Sequence, residues 1–255
     1  VILVNCEQGS ESWHRARAGV LTASMFGVAR KRVGELDERQ QTYVDGVMSG
    51  LGEKEAAKAA GYSAVPRAAG IAKALRGEPV GDYSDEAKSY AFRLAIERIS
   101  GEPLDEGFET FAMRRGHELE PYARAELEVQ TGLMVQRAGF VLTDDGAFGA
   151  SADGLIGDDD GVELKCFIDP LRLRRFHIDN DASEVFEQAQ GCMWITGRQW
   201  WHIGLYCPAL APVGKQLWWK RFERDEEFIE KMRADLLAFR SVVDAYEQDL
   251  KRDDA

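Results

Sequence analysis

The sequence predicts an α/β fold, a central mixed sheet flanked by helices and carrying a small all-helical insertion. Three observations predict it. Strand-like runs such as Gln199-Trp200-Trp201-His202-Ile203-Gly204-Leu205-Tyr206 fall between residues 133 and 221. Apolar residues at helical spacing come before, between and after these runs, which gives the order helices, strands, helix, strands, helix of an α/β domain. Between Lys31 and Gly81 the composition shifts to Ala, Gly and charged residues with few large apolar side chains, which marks residues 31–81 as a helical insertion into a core of residues 1–30 and 82–255. A chain of 255 residues, 45% of them hydrophobic, has material for both.

Taken in order, Val1-Ile2-Leu3-Val4 reads as a strand. Ser10-Glu11-Ser12-Trp13 opens a helical turn carrying His14, Arg15 and Arg17, and Gly19 ends it. Thr22-Ala23-Ser24 caps a helix over 25–30, because hydroxyl oxygens accept the free amide hydrogens of a first turn. In the insertion, Tyr43, Val44, Val47 and Leu51 mark one helix and 53–60 a second, while Ser63 caps a third with Pro66 in its first turn. Ser84 caps the next helix, on which Ala87, Tyr90, Ala91, Leu94 and Ile99 recur at helical spacing until Gly101. A long helix follows from Phe108 to about Gln130, where Pro121 predicts a kink or a break. Residues 133–135, 140–143, 148–152 and 162–167 read as strands and 183–196 as a crossing helix. Two further strands, 200–207 and 217–221, lead to a final amphipathic helix over 225–250.

With a formal net charge of −12, binding to nucleic acid has to rest on local charge. Arg15 with Arg17, Arg114 with Arg115, and Arg172 with Arg174 and Arg175 are the clusters able to line such a surface. No apolar run reaches the length of a membrane span, and the N-terminal residues lack the basic flank and cleavage site of a secretory signal, so a cytoplasmic protein without a membrane partner is expected. Cys6, Cys166, Cys192 and Cys207 are widely spaced, without a Cys-x-x-Cys pair, which predicts reduced thiols rather than structural zinc or disulfides.

The chemistry centres on Ser151-Ala152-Asp153-Gly154 and Glu163-Leu164-Lys165. Side chains alternate along a strand, so Glu163 and Lys165 emerge on one face and Leu164 on the other. Asp153, across the turn Gly157-Asp158-Asp159-Asp160-Gly161, folds back beside Glu163 and completes a pair of hard oxygen ligands for a divalent cation that activates water against a phosphodiester. Asp158, Asp159 and Asp160 are consecutive, unlike the alternating ligands of a calcium loop, and read as a turn. Trp200, Trp201, Trp218 and Trp219 read as core or interface rings rather than base-stacking platforms.

Asp153 followed by Glu163-x-Lys165 matches the metal-binding core of the PD-(D/E)xK nuclease superfamily. Trp13-His14-x-x-Arg17-x-Gly19-x-x-Thr22-Ala23-Ser24, Arg115-Gly116-x-x-x-Glu120 and Gln188-Ala189-Gln190-x-x-Met193-Trp194 also occur in order. Together these segments resemble the lambda exonuclease, or YqaJ-like viral recombinase, family over nearly the whole chain outside Lys31 to Gly81, with Ala152 where the family has a proline. The resemblance implies a restriction-endonuclease-like core in which Asp153, Glu163, the carbonyl of Leu164 and Glu120 hold catalytic magnesium, for which manganese substitutes. It implies that Lys165 orients or helps to deprotonate the attacking water, that Gln190 lines the site beside the nucleophile, and that Arg17 and Ser24 hold the 5′ phosphate of a DNA end. His117, one turn ahead of Glu120, reads as a neighbour of the site rather than a ligand.

The implied activity is a 5′-to-3′ exonuclease that degrades one strand of double-stranded DNA from its end and leaves a 3′ overhang for phage-type recombination. The implied assembly is a homotrimer that hands its product to a phage single-strand annealing protein, in the host cytoplasm if phage-encoded. Two alternatives stand beside it, a sequence-recognising endonuclease of the same superfamily and a DNA-binding packaging adaptor with a decayed nuclease core. The run from Glu55 to Ser63 resembles the helix-turn-helix of phage terminase small subunits, which gives the insertion a DNA-reading expectation.

Overall fold

The computed structural model describes residues 1–78, 80–104 and 111–252, apart from the side chains of residues 112 and 113. In chain order the elements are β1 (Ile2–Val4), α1 (Glu11–Arg17), β2 (Leu21–Thr22), α2 (Phe26–Ala29), β3 (Arg32–Val33), α3 (Glu38–Met48), α4 (Glu53–Ala59), α5 (Ala69–Leu75), β4 (Asp82–Tyr83), α6 (Asp85–Ser100) and α7 (Phe111–Thr131). They continue with β5 (Phe140–Leu142), β6 (Phe148–Ser151), β7 (Gly154–Ile156), β8 (Asp160–Lys165), α8 (Pro170–His177), α9 (Ser183–Thr196), β9 (Trp200–Tyr206), β10 (Leu217–Glu223) and α10 (Glu226–Lys251). The chain divides into two units, residues 1–29 with 90–255, and residues 30–89.

In the larger unit the strands form two four-stranded mixed sheets where a single central one is expected. Their orders are β1-β5-β6-β2 and β10-β9-β8-β7, with one parallel pair in each, β2 with β6 and β8 with β9. The chain steps between the sheets at Ala152 and Asp153. Ser151 still pairs with Phe140 in the first sheet, whereas the amide of Asp153 donates to the Val162 carbonyl at 3.1 Å and Gly154 pairs with Val162 in the second. Gly154 is required at that step, since a Cβ there would lie 2.1 Å from Cγ1 of Val135.

Helix α9 supplies much of the core. Val185, Ala189, Cys192, Met193 and Ile195 are buried on it, and the Trp194 ring stands 5.0 Å from Phe148 and 5.9 Å from Phe26. Helix α10 contributes an apolar stripe of Ile229, Met232, Leu236, Phe239 and Val243. Caps set the helix starts. Ser10 accepts the Trp13 amide at 3.2 Å and Asp225 accepts that of Phe228 at 2.9 Å, each worth about 1 kcal/mol.

Several expectations change. Helix α7 runs unbroken through Pro121, although proline has no amide hydrogen to donate to the preceding turn. Its expected start at Phe108 lies outside the described residues. Residues 133–135 form no strand, and the chain there makes only an isolated bridge from Gln136 to Leu155. Helix α8 is an element beyond those expected, although its start is marked in the sequence: Asp169 caps it by accepting the Arg172 amide at 2.8 Å and Pro170 sits in its first turn.

In the smaller unit α3, α4 and α5 enclose Tyr43, Val44, Ala56, Ala57, Ala60 and Ile71. The third helix begins at Ala69, not at Ser63. Tyr62 and Val65 both pack on the cluster, and Pro66 biases Val65 towards extended backbone, so residues 60–68 cross the cluster before turning into α5. That connection is longer than the three- to four-residue turn of a helix-turn-helix. At the ends of the unit, β3 and β4 pair with Val33 opposite Asp82. Among the described residues no helix is long and apolar enough to cross a membrane.

Candidate active site

The step from β6 to β7 puts Asp153 beside β8. One carboxylate oxygen of Asp153 accepts the Leu164 amide at 2.6 Å, which ties it to the strand carrying Glu163 and Lys165. Burial, and then the neighbouring Glu163 carboxylate, push the Asp153 carboxyl well above the usual carboxylate range. Glu163 is only 7% exposed. Its Oε1 accepts from Lys165 Nζ at 2.7 Å and from Gln188 Nε2 at 2.7 Å, while Oε2 is buried without a partner among the described residues. Burial lowers the Lys165 ammonium, but the charges of Glu163 and Asp153 outweigh that and hold it above its ordinary value.

The glutamine at this centre is Gln188, whose Oε1 also accepts from Lys165 Nζ at 3.0 Å. Gln190, expected to line the site, is fully buried elsewhere. Its Nε2 donates to the Glu223 carbonyl at 2.8 Å and its Oε1 accepts the Asp225 amide at 2.9 Å, which joins α9 to the start of α10. Positions two apart on a helix are rotated by about 200°, so the two glutamines cannot face one pocket. That phase was readable in the sequence, though which face meets the carboxylates was not.

Glu120 lines a cleft of about 540 Å³ with Asp153, His117 and Gln8. Its carboxylate is bonded to Arg124, four residues on along α7. Among the described residues no three acidic, His or Cys side chains gather into a metal-binding group. Of the expected set, Asp153 and Glu163 lie together, and Glu120 is paired with Arg124 while its charge still acts on Asp153. These residues still fit a hard divalent cation. The donors are all oxygen, two carboxylates lie together at an energetic cost, and Glu163 Oε2 has unused lone pairs.

Arg17 and Ser24 share a second cavity of about 320 Å³, lined also by His14, Thr22, Tyr90, Arg93 and Glu97. Arg17 is positioned by α1. Its guanidinium lies 4.2 Å from the centre of the Trp13 ring, and one Nη donates to Ser151 Oγ at 2.9 Å. Ser151 Oγ also accepts from Trp13 Nε1 at 3.0 Å, so α1 and the strand leading to Asp153 are tied together. Ser24 is exposed, its hydroxyl 3.4 Å from that of Thr22.

Other expected features are absorbed by the structure. Arg172 bonds Glu184 at 2.5 Å, Arg174 bonds Asp179 at 3.2 Å and Arg15 bonds Glu102 at 3.0 Å, so these arginines are neutralised rather than ranged along a basic wall. Asp160 of the acidic turn takes Arg221 at 2.9 Å. Trp201 is core, Trp218 packs edge-on against Phe176, and Trp200 lies under Arg221. The four cysteines are free, and burial pushes the Cys166 thiol up to about 11.

This architecture, an α/β core with Asp153, Glu163 and Lys165 gathered beside β8, has the PD-(D/E)xK type of fold. Within that type, the chain belongs to the family of the YqaJ-like viral recombinase domain, whose model matches residues 12–199. It is similar to LHK-Exo, an alkaline exonuclease from Laribacter hongkongensis, at 26% identity over 95% of this chain and 97% of that chain. The TM-scores are 0.68 for LHK-Exo in complex with dAMP and 0.67 for a second structure of it. A phage-related exonuclease from Haemophilus somnus 129PT shares the fold at a TM-score of 0.57, with 17% identity over 91% of this chain and 96% of its own. None of the curated proteins compared with the chain matches it.

Proposed function

We propose that this chain is a metal-dependent exonuclease that degrades one strand of double-stranded DNA from the 5′ end and leaves a 3′ overhang for phage-type recombination. Family membership and the similarity to an alkaline exonuclease support the broader statement, a phage-type exonuclease and hence a phosphodiester hydrolase. The observation that carries the finer reading is a partly buried Asp153–Glu163–Lys165 cluster in the same unit as a cavity holding an arginine and hydroxyl groups. LHK-Exo was seen with dAMP, a mononucleotide of the kind that exonucleolytic cutting releases.

In this reading Asp153, Glu163 Oε2 and the Leu164 carbonyl hold magnesium, or manganese in its place, with Glu120 nearby. The ion, when bound, supplies charge neutralisation at the phosphate and a more acidic water. Lys165, kept protonated by its carboxylate neighbours, donates to a phosphate oxygen and stabilises the charge that grows there. Gln188 fixes Lys165 and Glu163 relative to one another. Arg17 and Ser24 receive the 5′ phosphate of the DNA end.

The test uses linear 5′-phosphorylated, linear 5′-hydroxyl and covalently closed circular duplexes, with magnesium or with chelator. Loss of nucleotides from the phosphorylated linear duplex, dependent on the metal and proceeding from the 5′ end, is expected. Equal cutting of the circle, or first release of a 3′-terminal label, overturns the reading. The proposal extends to a homotrimer that acts on duplex ends and passes the overhang to an annealing protein, and a monomeric mass by light scattering at assay concentrations ends that part.

A further inference from the structure

The cavity shared by Arg17 and Ser24 contains a second guanidinium that the preceding mechanism leaves without a task. Arg93, on α6, lines it beside His14, Thr22 and Tyr90. Its anchorage is unusual for a partly exposed arginine. Glu97 is 4% exposed, and its Oε1 accepts Arg93 Nε at 2.8 Å and the Leu104 amide at 3.2 Å. Its Oε2 accepts the Gly19 amide at 2.9 Å. A buried carboxylate fixed by two main-chain amides thus pins the inner nitrogen of Arg93. The two terminal nitrogens of Arg93 have no partner among the described residues.

Arg17 is held in a comparable way, stacked on Trp13 with one nitrogen on Ser151. Among the described residues, two pre-positioned guanidinium groups therefore share one cavity with a single carboxylate, Glu97, that both lines it and neutralises one of them. Such an excess suits a doubly charged phosphomonoester better than an internal phosphodiester, which carries one charge and fewer free oxygens. The hydroxyls of Thr22 and Ser24 add donors suited to the remaining oxygens.

We propose that Arg93 is a specificity-determining residue. It grips the terminal phosphate together with Arg17 and so makes the enzyme favour a 5′-phosphorylated end over a 5′-hydroxyl end. This rests on the reading that the cavity receives the DNA end.

Two measurements test it on the full chain, with Arg93→Gln and Arg93→Lys. The first is the ratio of kcat/KM for otherwise identical 5′-phosphorylated and 5′-hydroxyl linear duplexes in magnesium. The second is the ratio of affinities for the same two ends in chelator, followed by fluorescence anisotropy, which needs no catalysis. The wild type should favour the phosphorylated end in both. Arg93→Gln should lose about tenfold to a hundredfold of that preference, and Arg93→Lys should fall between, since an ammonium keeps the charge without the fork.

Should Arg93→Gln fail to fold, Arg93→Lys, which can still pair with Glu97, carries the test. A wild-type ratio in Arg93→Lys then overturns the assignment. If the wild type discriminates and Arg93→Gln does so equally, Arg93 has no such role while the end-recognition reading survives. If the wild type treats both ends alike, that reading and this inference fall together.

Discussion

Gln188 and Gln190 stand two positions apart on α9 and do different work, one at the carboxylates and lysine, the other at the start of α10. Gln188→Ala should cut nuclease activity by about 10–100-fold, the usual cost of losing a group that orients a metal-site residue, with little change in Tm. Gln190→Leu should show the reverse. It leaves the Glu223 carbonyl and the Asp225 amide unpaired, which costs about 1–3 kcal/mol for each group and appears as a lowered midpoint in denaturant titration. Equal activity losses in both variants would remove the distinction.

Asp153 allows a pH experiment. Its carboxyl titrates well above the usual range in the folded protein, so the native state holds that proton more tightly than the unfolded chain does. The metal-free protein accordingly loses stability as pH rises from the ordinary carboxylate value through the raised one, and regains it only when a cation replaces the proton. Magnesium should therefore raise Tm more at pH 8 than at pH 5. Asp153→Asn should be more stable than the wild type in chelator at pH 8, yet be inactive and show no magnesium-dependent shift. A variant less stable than the wild type under those conditions would contradict this account.

Among the elements, the step from β6 to β7 matters most, because it carries Asp153 from one sheet to the other. Gly154→Ala places a methyl 2.1 Å from Cγ1 of Val135 and should destabilise the protein by about 1–3 kcal/mol through overpacking, with loss of activity as Asp153 shifts. Val135→Ala in the same chain should restore part of both, since the two residues are in contact. Without such rescue, a different cause for the glycine would have to be sought. Helix α1 acts in a similar way at the other cavity. Its Ser10 cap starts the turn that carries Trp13 and Arg17 to Ser151.

At the scale of the whole molecule, the net charge of −12 coexists with two arginines that line one cavity. Arg172 and Arg174 are paired with acids, while Arg17 and Arg93 enter the cavity from rigid elements. The smaller unit has its own apolar cluster, and its ends meet where Val33 pairs with Asp82. Replacing residues 34–81 with a two-residue Asn-Gly turn should therefore leave a chain that folds and still degrades duplex ends. Failure of the shortened chain to fold would mean that the larger unit depends on the smaller one.

The sequence by itself determined what is local. Glu163 and Lys165 on one face of a strand follow from its twofold repeat, Asp153 beside them follows from a short hairpin, and most helices follow from caps and apolar spacing. Tertiary structure alone decided which side of α9 meets Glu163, that Arg172 pairs with Glu184 on the next helix, and that Arg93 shares a cavity with Arg17. The physical reason is reach. Alternation, helix phase and capping act over a few residues, whereas the partner of a long charged side chain depends on which distant segments packing brings within about 3 Å of it.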